Sequence, residues 1–443
     1  MIDVELHNIL FQISVMINNP FIFLFLILSL VCKVSFTQKS NSGINLPNDF
    51  VSRSFNHVES ISNVGIHSAG TKEEKEVAEY IFTELSNMGI ETYIEKFEFQ
   101  SFDIDDINLK INNRDIEVMQ ICFNPYTSDL HFQDDFILLD SNNTTETNIK
   151  DKIVLASFPL ENTKYFRLFF ERPKLILVLP ATEIQLIQKG NEREFDCEVK
   201  GRIESYSSQN VIANVKGKEN SNDEIILSAH YDSYPGSIGA DDNASGVGVL
   251  MELAKFFKNN PSNLNLKFVA FGGEEKGLLG SRAYLDKHSK SLSHCKLLFN
   301  IDQVGGEHIF IETTGDVRGI PEKKGCSQFP AFMRNKSLEG IQSNWRLLAP
   351  EVLPLFGVSN RPEWLKNIIN QSTTELSIPV SYAGNTGSDQ MTFAQAGIVA
   401  TAIGTSGNEV HSDKDIPTQI KKQSLENCGK IIIDIVQKTA QNE

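Results

Sequence analysis

Apolar positions fall at helical spacing along 72–88, where Val77, Ala78, Ile81, Phe82 and Leu85 share one face. Thr71 precedes them as an N-cap, with Glu74 three places on, and Gly89 ends the run. Residues 91–99 (ETYIEKFEF) then alternate apolar and polar, the period of a strand. From 104 to 205 the pattern breaks into short apolar runs with polar connections, among them 136–139, 152–156 and 175–179. Asn142-Asn143-Thr144-Thr145 lies in one such connection. After Asn210 strands and helices alternate regularly. Apolar strands at 224–229, 266–271, 297–301 and 398–403 are separated by helical patterns such as Val247, Leu250, Leu253, Phe256 and Phe257. This order predicts an α/β fold with a mixed, largely parallel central sheet covered by helices, interrupted by an inserted mostly-β domain. The expected layout is 40–103 as the first part of the main domain, 104–205 as the insert and 206–443 as the rest.

Residues 21–32 (FIFLFLILSLVC) are apolar apart from Ser29. A spanning helix needs about 20 such residues and a signal h-region roughly 7–15, so the run predicts a signal peptide over 1–37 and a secreted or periplasmic protein. Against this, no Lys or Arg precedes the run, and Asp3 and Glu5 do. An uncleaved anchor and a buried helix are the alternatives.

Composition narrows the function classes. Lys plus Arg number 41 against 57 Asp plus Glu, a formal net charge of −16, which argues against a nucleic-acid partner. Apolar content of 40% excludes a disordered chain. The six cysteines form no CxxC pair, so neither a disulfide scaffold nor a cysteine zinc site is indicated.

The candidate chemistry sits at strand ends. The run 224–229 delivers His230-Tyr231-Asp232 and leads to Asp241-Asp242-Asn243-Ala244-Ser245-Gly246. The next strand ends in Gly272-Gly273-Glu274-Glu275, the third in Asp302, and His411 lies beyond the last. Taken singly, His230 reads as a core histidine, Asp241-Asp242 as a turn, and Glu274-Glu275 as acids complementing a helix N-terminus. Asp302 alone reads as a loop acid and His411 as a surface histidine. Together they follow successive apolar runs, where open α/β sheets place their sites. Mixed imidazole and carboxylate donors suit zinc.

The runs AHYDS, GADDNASG, FGGEEKGLLGS, NIDQVG and VHSDKD resemble the signature of secreted di-zinc aminopeptidases of the bacterial leucyl-aminopeptidase type. Glutamate carboxypeptidases and glutaminyl cyclases share that superfamily. The resemblance covers about residues 206–440, and 65–100 also fits; 104–205 resembles the protease-associated domain of some members. It implies two zinc ions per chain: His230 and Asp302 on one, Glu275 and His411 on the other, and Asp241 bridging. It further implies Glu274 as general base on a zinc-bridging water, Asp232 holding the far nitrogen of His230, and a cis bond at Asp241–Asp242. The implied activity is hydrolysis of the N-terminal peptide bond of peptides with a free N-terminus.

Three positions depart from the family pattern. Gln390 stands where many relatives have His, Gln303 where Met is common, and Val410 where some carry Tyr. Tyr382 and Tyr234 are candidate hydroxyl donors. A carboxypeptidase would need an arginine clamp, for which Arg318, Arg334, Arg346 and Arg361 are available. Phe329, Phe332, Trp345 and Leu348 are candidate pocket residues. A one-zinc cyclase and a non-catalytic binding module are further alternatives; the latter predicts loss of a ligand or of Glu274, and none is lost.

Overall fold

The computed structural model describes residues 44–118, 120–122, 129–139, 152–157, 174–190, 194–313, 323–324, 358–384 and 387–441. The expected leader at 1–37, Phe329, Phe332, Trp345, Leu348, Arg318, Arg334 and Arg346 lie outside them. Among the described residues no helix is long and apolar enough to cross a membrane.

In order, the main-domain elements begin with α1 (Phe50–Ser62), α2 (Lys72–Asn87) and β1 (Glu91–Ile111). The insert then contributes β2 (Arg114–Ile116), β3 (Gln120–Cys122), β4 (Asp129–Phe132), β5 (Phe136–Leu139), β6 (Ile153–Ser157), β7 (Leu175–Leu179) and α3 (Ala181–Lys189). The chain returns through β8 (Phe195–Val215), β9 (Glu224–His230), α4 (Gly246–Asn259), β10 (Asn265–Phe271), α5 (Leu279–His288) and β11 (Cys295–Ile301). It ends with β12 (His308–Glu312), β13 (Lys323–Lys324), β14 (Val358–Ser359), α6 (Glu363–Leu376), β15 (Ser381–Ala383), α7 (Gln390–Gln395), β16 (Ala400–Ser406) and α8 (Lys422–Thr439).

The main sheet runs β15-β12-β16-β11-β9-β10-β8-β1-β2, with β4 also on β8. Its centre, β16-β11-β9-β10, is parallel throughout, while β8 and β12 join it antiparallel. Strands buried on both faces lose the alternation of a one-sided sheet, which is why β9 (EIILSAH) reads as a continuous apolar run. On one side α1, α4 and α8 pack together. Val58 and Ile61 of α1, Leu250 and Leu253 of α4 and Ile432 and Ile435 of α8 are essentially fully buried there. On the other, α5 and α7 bury Tyr284 and Phe393 against Ile226, Val269, Phe271 and Leu298.

Local signals explain the first helix pair. The Thr71 hydroxyl accepts from Glu74 N at 3.1 Å and the Glu74 carboxylate accepts from Gly70 N at 2.7 Å, closing the start of α2. The same carboxylate accepts from Ser208 Oγ at 2.6 Å, so the cap also ties α2 to β8.

The insert joins the main domain differently from the expected pattern of separate strands. β1 and β8 are each 21 residues long and pair antiparallel from Glu91↔Asn214 to Ile111↔Phe195. They leave the main sheet as a paired ladder, with one register shift between Ile104 and Asp106, and enter a second core. There Leu109, Ile111, Cys197 and Val199 pack with Leu155, Leu177 and Ile187. A four-stranded sheet, β3-β7-β6-β5, completes that region. The described residues from 45 onward form one compact unit.

Packing of α4 against α1 leaves no room at Gly248: a Cβ there would lie 2.4 Å from the Ser54 carbonyl oxygen. Backbone on both sides must move to admit it, so Gly248→Ala is expected to destabilise the chain by about 1–3 kcal/mol, read as a lower urea midpoint at unchanged slope.

Candidate functional site

The parallel registers align the carboxyl ends of the central strands. His230, the last residue of β9, stands opposite Phe271 of β10, and Ile301 of β11 stands opposite Ile403 of β16. β9 connects onward to β10 on one side and the neighbouring β11 onward to β12 on the other, so the chain diverges between β9 and β11, the position where such sheets open a crevice. His230, Asp242, Glu274, Glu275, Asp302 and His411 meet there.

Among the described residues three groups of donors lie within 4.8 Å of one another: His230, Asp242 and Asp302; Asp242, Glu275 and His411; and His230, Glu274 and Glu275. His230 Nε2 is 3.1 Å from Asp242 Oδ1 and 3.4 Å from Asp302 Oδ1. His411 Nε2 is 2.9 Å from Asp242 Oδ2 and 3.1 Å from Glu275 Oε1. The two oxygens of Asp242 thus face the two imidazoles. His230 Nε2, Asp242 Oδ1 and Asp302 Oδ1 are buried and make no hydrogen bond, although they converge.

Electrostatics follow from this crowding. Burial opposes a charged His230, but the Asp302 and Glu274 carboxylates outweigh it and raise its pKa well above the usual value. Burial would raise Asp242, but His230 and His411 hold it well below the carboxylate range. Buried acids that stabilise positive charge this strongly, with imidazole nitrogens aimed among them, fit a divalent cation with nitrogen and oxygen donors.

One expected ligand is corrected. Asp242, not Asp241, faces the cluster. The Asp241 carboxylate turns away and accepts from Gly305 N at 2.7 Å, Asn408 Nδ2 at 2.8 Å and Ser245 Oγ at 3.1 Å. Those donors leave it no freedom to bridge. A Cβ at Gly305 would lie 2.8 Å from Asp241 Oδ1, so this close approach requires glycine. The cis peptide bond stands at Asp242–Asn243, one place beyond the expected Asp241–Asp242.

Asp232 stands against the far nitrogen of His230, as expected, and has a second role. The far nitrogen of His230 lies 3.1 Å from the Asp232 backbone carbonyl and 3.6 Å from its carboxylate. That carboxylate accepts from Glu274 N at 2.9 Å and Glu275 N at 3.1 Å. It therefore caps the turn that presents both glutamates.

Other neighbours had weaker sequence signals. Gln303 donates through Nε2 to Asp242 Oδ2 at 2.9 Å. Asp415 accepts from Asp241 N and Asp242 N. Only their places in the NIDQVG and VHSDKD runs pointed to them. Tyr234 stacks on His411 with ring centroids 4.3 Å apart and 14° between planes, whereas Tyr382 is half exposed and its hydroxyl lies 3.3 Å from that of Thr373. Gln390 is taken up in the core, donating to Glu312 at 2.9 Å and accepting from Asn300 at 3.1 Å. Buried Arg361 pairs with Glu312.

Since Asp232 accepts two backbone N–H groups, Asp232→Asn puts an amide donor against one of them. It is expected to lower stability by about 1–3 kcal/mol, measured by urea unfolding.

Residues 210–319 match the profile of Peptidase family M28. Aminopeptidase YwaD of Bacillus subtilis (strain 168) is 46% identical over 103 residues, 23% of each chain. Leucine aminopeptidase 2 of Trichophyton equinum is 29% identical over 209 residues, 40% of this chain and 42% of the relative. The matches thus span less than half the length of these curated relatives. Among solved structures, a zinc aminopeptidase from Bacillus subtilis superposes with a TM-score of 0.62 at 19% identity, covering 89% of this chain and 95% of that one. A peptidase M28 precursor from Shewanella amazonensis SB2B gives 0.60 at 16% identity, covering 92% and 96%. At these identities the superpositions establish the α/β fold. Residues 210–319, the stretch that matches the peptidase family M28 profile, carry four of the five strand-end motifs.

Proposed function

We propose that the chain is a zinc-dependent aminopeptidase acting on peptides with a free N-terminus. The observation that carries this reading is the position of Asp242, whose two oxygens serve two separate donor groups. One shared carboxylate between two such groups suits a pair of cations. His230 and Asp302 would hold one ion, Glu275 and His411 the other, and Asp242 both. The nitrogen and oxygen donors and the names of the relatives support zinc. Bound there, two zinc ions would polarise the scissile carbonyl and lower the pKa of a water between them.

The chain's own residues divide the remaining work. Glu274 is buried beside His230 and Glu275 and belongs to neither Asp242 group. It takes the proton of the attacking water and returns it to the leaving amine. The Asp232 cap fixes the backbone at 274 and 275, so the two adjacent glutamates leave it in different directions. Arg361, held against Glu312 in the core, does not offer the clamp that a C-terminal carboxylate would need. Secretion belongs to this proposal and rests on the apolar run at 21–32.

Elemental analysis of the purified protein is expected to give two zinc ions per chain. A peptide library is expected to release amino acids one at a time from the N-terminus; release from the C-terminus would favour a carboxypeptidase.

Glu274→Gln is expected to fold, keep both ions and lose roughly 10²–10⁴-fold in kcat, with no recovery in added zinc. Glu275→Gln is expected to lose one ion and regain part of its activity in excess zinc. The opposite pattern would exchange the two roles.

A further inference from the structure

The two halves of the cluster are supported differently. His230 ends a strand, is fully buried and has its far nitrogen against a backbone carbonyl. Asp302 follows β11 directly, and its backbone N donates to Ile403 O at 3.0 Å. That half stands on the sheet. His411 instead comes from the loop after β16, its side chain is 27% exposed, and its φ is +57°. No strand ladder holds it.

What holds that loop is a reciprocal set of hydrogen bonds with the segment carrying Asp242. Asp415, four residues after His411 and 1% exposed, accepts from Asp241 N at 2.6 Å and Asp242 N at 3.1 Å. Its backbone carbonyl accepts from Ala240 N at 3.4 Å. On the other side of His411, Asn408 Nδ2 donates to Asp241 Oδ2 at 2.8 Å. The loop is thus fastened to 240–242 on both sides of the imidazole.

We propose that Asp415 is a positioning residue that keeps Asp242 and His411 in register as ligands of one ion. The ion held by His230 and Asp302 depends on it less, because it shares Asp242 but not His411. This rests on the dinuclear reading above and adds a residue and an asymmetry to it. A carboxylate offers oxygen to both backbone N–H groups; a carboxamide offers oxygen to one and sets an amide donor against the other. Asp415→Asn therefore loosens the shared segment with little change in volume.

The test is zinc titration of metal-stripped full-length chain, wild type and Asp415→Asn, by competition with a chromophoric chelator. Cobalt absorption serves as a second readout of each site. Wild type is expected to bind two ions. In Asp415→Asn the ion at His411 is expected to bind about 10–100-fold more weakly, a loss usual when a ligand's supporting contact is removed, and the other to be weakened clearly less. His411→Ala should weaken the same ion and sets the limit of the loss. Two ions in wild type with both unchanged in Asp415→Asn would overturn the inference alone. Equal weakening of both would do the same, because a general loss of structure acts on both. One ion or none in wild type would overturn the dinuclear reading and the inference together. Should Asp415→Asn fail to fold, Asn408→Ala decides: a greater loss at the ion at His411 than at the other supports the inference, and no loss or an equal loss overturns it.

Discussion

Four carboxylates and two imidazoles are packed at one edge of a parallel sheet, largely away from water. Buried acids in this number repel one another, and two protonated histidines are too few to neutralise them. The edge is therefore built for added positive charge. Much of the surrounding architecture holds like charges together: strands that end in register, a divergence of the chain between β9 and β11, and loops fastened by backbone hydrogen bonds.

The two adjacent acid pairs show how this is done. At 241–242 one carboxylate faces the cluster and the other ties together Gly305, Ser245 and Asn408. At 274–275 both glutamates join the cluster, and the anchoring falls to Asp232. In each case a separate aspartate accepts two consecutive backbone N–H groups, Asp415 for the first pair and Asp232 for the second. Orientation is thus set through the main chain, and the facing side chains stay available for chemistry.

This also explains what was legible in the sequence. His230, Glu274, Glu275 and Asp302 could be picked out because each follows an apolar run, and parallel strands bring such ends together. His411 was legible only through its motif, since a loop separates it from β16. The choice between Asp241 and Asp242 was not legible. The two are chemically identical neighbours, and which one turns inward is decided by Asp415, Asn408 and Gly305, which lie far away in the chain. The second role of Asp232, beyond its contact with His230, was missed for the same reason, because those partners are backbone groups 42 and 43 residues on. The insert's strands at 136–139 and 175–179 were readable from their apolar runs. Its junction with the main sheet was not, because β1 and β8 run on across it as paired strands, with only a one-residue register shift at 104–106.

That long antiparallel pair bears on how such a region can be gained or lost. Wherever β1 and β8 are cut at facing residues, for example Gln100 and Ser205, the free ends lie about 5 Å apart. A two-residue hairpin turn spans that gap. The remaining strands would keep their register with β10, and every central strand that carries the acidic cluster would keep both neighbours. The junction is therefore a natural grafting point, at which a whole lobe can be exchanged for a turn without rerouting the chain.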